Sequence, residues 1–186
     1  MHHLDDLGHV STEGGPLLLI DLHGVAEWAG IDSDDYDRAC RLLETQRPGA
    51  EIQVGEQRGL LWDVPTGTTD VFRTAVDRLL LSRSWLEPAS ESEERAELRR
   101  LVELPPSEMH PVGRLTVASG WLAILWATEN GADIARVSPA DGLSLDLSVG
   151  HAAVLVRVAP GEYACTQDEV THGGPSALRC WIGPAD

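Results

Sequence analysis

The sequence predicts an α+β protein that is mostly antiparallel β, with two β-rich halves joined or covered by a central pair of helices. Three observations carry that expectation. The last third of the chain is a succession of short apolar runs separated by turn dipeptides. The middle contains two stretches with helical spacing of apolar residues. Across 186 residues, 42% are hydrophobic, enough for a substantial core.

In chain order, residues 1–10 predict a flexible terminus, and residues 11–64 a β-rich half. Gly14-Gly15-Pro16 sets a turn before the apolar run Leu17–Ile20, which reads as a buried strand. Trp28-Ala29-Gly30 follows as a loop. Asp32, Ser33 or Asp34 can then cap a helix whose first turn is acidic, as the helix dipole favours. Tyr36, Ala39, Cys40 and Leu43 form its apolar stripe, and Pro48-Gly49 ends it. Residues 51–54 and 60–64 predict a hairpin.

Residues 65–110 predict a helical middle. In Asp70–Arg83, the residues Val71, Phe72, Ala75, Val76, Leu79 and Leu80 share one helical side. A second helix starts at Ser90, where Ser90 and Glu93 form a capping-box pattern, and stops before Pro105-Pro106 to cover a sheet. Residues 111–186 predict an antiparallel β-rich half. Residues 114–118 and 121–128 are strand-like, Asn130-Gly131 predicts a hairpin turn, and 132–137 the returning strand. After the Asp141-Gly142 turn, Leu143, Leu145, Leu147 and Val149 alternate with polar residues. Val154, Val156 and Val158 do the same, Pro160-Gly161 turns the chain, and strands follow at 163–166 and 177–182. Gly173-Gly174-Pro175 echoes Gly14-Gly15-Pro16, so two related halves are conceivable, although three residues do not establish a duplication.

The 14 basic residues are all Arg, and against 30 acids they leave a net charge of −16. That balance argues against nucleic-acid binding, and no apolar run has membrane-spanning length. Without a secretory signal, and with three widely spaced cysteines, the expectation is a cytoplasmic chain with reduced thiols. Nine acids and no Arg fall within residues 1–37. Such a surface either aids solubility or steers a basic partner inward.

No chemical motif survives scrutiny. His2, His3, Asp5, Asp6 and His9 cluster near the terminus without a packed frame to hold a metal. Asp32, Asp34 and Asp35 imitate a calcium loop, but Asp37 stands where glycine is required and Leu43 where glutamate is. Ser119 lacks the nucleophile-elbow pattern, and phosphate cradles are absent. Cys40, Cys165 and Cys180 read as core thiols. Among the tryptophans, Trp62, Trp121, Trp126 and Trp181 predict core positions, whereas Trp28 and Trp85 flank turns and can serve as exposed anchors. No catalytic, cofactor-binding or metal-binding residue is assigned, and the expectation is a non-enzyme.

Gly14-Gly15-Pro16-Leu17-Leu18-Leu19, then Trp28-Ala29-Gly30, then Asp35-Tyr36-Asp37-Arg38-Ala39-Cys40 resembles the Immunity protein 21 family of bacterial polymorphic-toxin systems. The match covers residues 11–64, with a looser echo in residues 114–128 and 158–163; residues 66–111 do not align. The resemblance implies a small, mostly β cytoplasmic antidote that neutralises a cognate toxin by binding it. It supplies no catalytic residue, and it suits the motif residues Gly14, Gly15, Pro16, Trp28, Gly30, Asp35, Tyr36, Asp37, Arg38 and Cys40 as scaffold. The expected partner is a basic toxin protein, met by Glu27, Trp28, Asp32, Asp34 and Asp35. Two alternatives stand beside it. One is a hydrolase or ligand-binding enzyme with a cleft between the β-rich portion and the helices, which His151 or His172 beside Cys40 and a carboxylate would support. The other is a stand-alone interaction module.

Overall fold

A computed structural model of the chain describes residues 4–75, 77–87, 90–147 and 150–185. His2, His3, Val76 and Val149 from the expectations above lie outside the described residues.

Among the described residues, six strands come from each half of the chain. The first half contributes β1 (Asp5–Thr12), β2 (Leu17–Asp21), β3 (Gly49–Val54), β4 (Gln57–Trp62), β5 (Gly67–Ala75) and β6 (Arg78–Trp85), with helix α1 (Asp35–Leu43) between β2 and β3. The second contributes β7 (His110–Val117), β8 (Trp121–Trp126), β9 (Leu143–Leu147), β10 (Gly150–Arg157), β11 (Gly161–Thr171) and β12 (Ser176–Pro184), with α3 (Gly131–Ala135) between β8 and β9. Helix α2 (Glu91–Glu103) links the halves. All strand pairs are antiparallel, in two sheets of order β1-β5-β6-β12-β11-β7 and β3-β4-β2-β8-β10-β9. The mostly antiparallel α+β expectation therefore holds, and both halves thread through both sheets.

The two orders read the same from either end once each strand of the first half is equated with its counterpart in the second. The chain thus repeats one topological unit about a pseudo-two-fold axis between β2 and β8 and between β6 and β12. Atomic detail follows that axis. The Leu22 amide donates to the Trp121 carbonyl at 3.0 Å, and the Ala127 amide donates to the Pro16 carbonyl at 3.0 Å. A bulge leaves Leu7 unpaired in β1, where Asp6 faces Phe72 and Gly8 faces Val71. Its counterpart leaves Val112 unpaired in β7, where Pro111 faces Thr166 and Gly113 faces Cys165. Gly8 and Gly113 both have positive φ, and a Cβ on either would collide with the opposite sheet, with Ser144 in one case and Leu60 in the other. These glycines let the edge strands close over the neighbouring sheet. The Gly-Gly-Pro echo has a different origin: residues 14–16 join β1 to β2, whereas 173–175 join β11 to β12, which are not equivalent turns.

Between the sheets lies one apolar layer that includes Leu17, Leu60, Trp62, Val71, Leu79, Ile124, Val156, Cys165 and Cys180. The outer face of the second sheet buries Leu18, Ile20, Ile52, Leu61 and Leu125 against Ala39 and Leu43 of α1 and Ile134 of α3. The outer face of the first sheet buries Phe72 and Leu80 against Val102, and Val170 and Ala177 against Leu101, both of α2. Ser90 caps α2 by accepting from the Glu93 amide, so this helix and its sheet-covering role are as expected.

Three expectations are corrected. Residues 70–83 form most of the β5–β6 hairpin instead of a helix. Val71, Leu79 and Leu81 face the sandwich interior while Phe72 and Leu80 face α2. Strands buried on both faces lose the alternation that marks them, and their apolar residues then also satisfy helical spacing. Residues 5–10, expected to be flexible, belong to β1 and are pinned along β5. Asn130-Gly131 opens α3 instead of a hairpin: the Asn130 side chain accepts from the Ala132 amide, and residues 131–135 are helical. A side-chain carboxamide placed before a short apolar run serves as a helix cap or as a turn, and contact with the 25–27 segment selects the cap.

Candidate functional site

The residues of the Gly-Gly-Pro, Trp-x-Gly and Asp-Tyr-Asp-Arg motifs converge on one corner of the second sheet. Gly14 offers its carbonyl to the Trp126 indole at 2.7 Å. Gly15, at φ 85°, leaves the space occupied by the Tyr36 hydroxyl. Trp28 is fully buried and donates its indole N–H to the Ala127 carbonyl at 3.0 Å. Gly30, at φ 56°, passes so close to the Thr128 and Glu129 carbonyls that no side chain fits. Asp35 accepts from the Ala29 amide at 3.0 Å and pairs with Arg38 at 2.8 Å. Cys40 is half-buried beside Tyr36, whose phenol is pushed up by burial and by that thiol. These contacts fold residues 22–35 into a rigid cap over β2 and β8. Apart from the exposed Asp37, the motif residues are thus framework, and the expectation of Trp28 as a partner anchor is corrected: a large aromatic ring beside an apolar sheet is buried there.

What the cap presents outward is different. Glu27, Asp32, Asp34 and Asp37 are exposed, and Ile31, next to Asp32 in the chain, is 67% exposed. Asp32 is braced by the Asn130 carboxamide at 2.9 Å, tying the cap to the start of α3. Asp35 is half-buried and spends its oxygens internally, so only part of the expected acidic set faces solvent. Ile31 was legible in the sequence as an aliphatic side chain inside an acidic run, but its exposure is decided by the tertiary fold.

The remaining titratable groups are dispersed. Cys165 and Cys180 lie together between the sheets, where their mutual hydrogen bond and burial push the Cys180 thiol well up. His151 Nδ1 lies 2.8 Å from the Asp146 carboxylate, which can accept from it, and its ring meets His9 edge-on at 4.5 Å between centroids. Burial and His151 lower the pKa of His9, against the opposing pull of Asp6 and Asp146. His172 lies in the β11–β12 turn. Neither imidazole is placed with Cys40, the arrangement the hydrolase alternative calls for. Among the described residues no group of three or more His, Cys, Asp or Glu side chains is arranged to hold a metal ion. No described helix is long and apolar enough to cross a membrane.

Comparison with protein-family models finds no match, and comparisons with curated proteins and with solved structures find none either.

Proposed function

We propose that this chain is an immunity protein that neutralises a cognate bacterial toxin in the cytoplasm by direct, non-covalent binding. The observation that carries the reading is the outward display of Ile31 together with Glu27, Asp32, Asp34 and Asp37 on a braced cap. An exposed apolar residue supplies desolvation energy, and exposed like charges supply partner choice and fast encounter. A basic toxin, nucleases among them, has the complementary field, because its own substrate is a polyanion. The motif resemblance of residues 11–64 supports the same reading, with those residues as the frame that holds the cap.

The test is co-expression with the product of the gene immediately upstream. Rescue of growth with a stable complex, formed at a rate that falls steeply as salt rises, is the expected result. Absence of a complex with that neighbour, or an association rate indifferent to salt, overturns the reading or its electrostatic part respectively.

A further inference from the structure

The pseudo-two-fold axis makes β9 the counterpart of β3, with Gly142 equivalent to Gly49 and Leu143, Leu145 and Leu147 equivalent to Ala50, Ile52 and Val54. Their surroundings differ. Ala50, Ile52 and Val54 are 2%, 3% and 1% exposed beneath α1, which spans nine residues and lays Ala39 and Leu43 over them. No counterpart of α1 occurs among the described residues between β8 and β9: α3, of five residues, follows β8 as the 25–27 segment follows β2. Helix α3 turns onto the 25–27 segment, where Gly131 approaches the Val25 carbonyl too closely for any side chain. Its Ile134 is buried, yet Leu143, Leu145 and Leu147 remain only partly covered. Strand β9 is also the outermost strand of its sheet.

We propose that the outer face of β9, formed by Leu143, Leu145 and Leu147, docks an amphipathic helix presented by a protein partner, in the manner that α1 covers β3. The occupant is read from the molecule itself: the same face, one half-turn away, is closed by a helix with apolar residues at i, i+3, i+4 and i+7 (Tyr36, Ala39, Cys40, Leu43). Charge selects its polar flanks. Strand β9 carries no cationic side chain and the chain bears −16, so the docking helix has basic flanks. This surface is separate from the Ile31 cap and does not depend on the toxin-binding reading.

The probe is a capped peptide of about 14 residues with Leu at i, i+3, i+4 and i+7 and Lys elsewhere, titrated into the isotope-labelled full chain and followed by amide chemical shifts. Shifts concentrated on Leu143, Leu145, Leu147 and Leu155 are expected. Leu145→Ser should weaken binding about tenfold or more while the thermal transition stays cooperative. A peptide of the same composition with a scrambled stripe should bind at least about tenfold more weakly. Shifts confined to residues 27–37, equal binding of the scrambled peptide, or sedimentation showing that β9 pairs two copies of this chain would each overturn the proposal. If Leu145→Ser does not fold, the shift map of the unaltered chain decides alone.

Discussion

The Tyr36 hydroxyl occupies the space that a side chain on Gly15 would need. Two motifs more than twenty positions apart are therefore one packing unit, with Gly15 at φ 85° supplying both the left-handed turn and the cavity for the ring. Gly15→Ala should destabilise the chain by about 1–3 kcal/mol, from backbone strain plus displacement of the phenol. Adding Tyr36→Phe should recover the steric part and leave the backbone part. Urea denaturation of the two single variants and the double variant measures this; strict additivity would show that the two residues are not coupled.

Arg179 and Asp168 form a fully buried pair under the end of α2. The guanidinium donates to both carboxylate oxygens, at 3.0 and 2.5 Å, and to the Leu101 and Leu104 carbonyls at 2.9 and 2.8 Å. The Ser107 amide and the Trp181 indole complete the carboxylate's partners. Replacing one member, as in Arg179→Met, strands a buried charge and should cost about 3–5 kcal/mol. Burial alone would raise the Asp168 pKa, but the hydrogen bonds from Arg179, Ser107 and Trp181 outweigh it and hold the carboxyl below its ordinary value. The stabilisation is thus present above the ordinary carboxylate range and fades as pH falls through the lowered value. Acid titration followed by amide exchange should release α2 first; uniform loss across both sheets would contradict this.

Asp70 has the opposite sign. Burial, with Asp6 and Glu94 nearby and Arg83 and a backbone hydrogen bond opposing, raises its carboxyl to about 7 from 3.8. Its ionised form penalises the fold, fully above that value and less as pH falls toward 4. Asp70→Asn should stabilise the chain by about 1–2 kcal/mol at pH 8 and by almost nothing near pH 4. Thermal melts at the two pH values check this, and a pH-independent gain would remove ionisation as the cause.

If the Ile31 cap meets a basic toxin, reversing Asp32 and Asp34 to Lys should slow association about tenfold or more at low salt. Reversing Glu93 and Glu103 on α2, across the sandwich, should change it about twofold at most. Ile31→Ser should instead speed dissociation. Stopped-flow binding separates these outcomes, and equal slowing by both pairs of reversals would displace the binding surface from the cap.

Local chemistry determined much of this protein. Leu143, Leu145 and Leu147 announce a strand by alternation, and Ser90 with Glu93 announces a helix start, because one face is buried and a cap is a matter of adjacent residues. The excess of short apolar strands also fixed the α+β, mostly antiparallel class. Tertiary packing decided the rest. Residues 70–83 carry apolar side chains compatible with either period, and only burial between the second sheet and α2 makes them a hairpin. Trp28 looks like an anchor until Ala127 is folded over it, 99 residues away in sequence. The pseudo-two-fold relation between the halves is the clearest case. It resides in strand order and in paired bulges at Gly8 and Gly113, and a bulge has meaning only once its partner strand is in place.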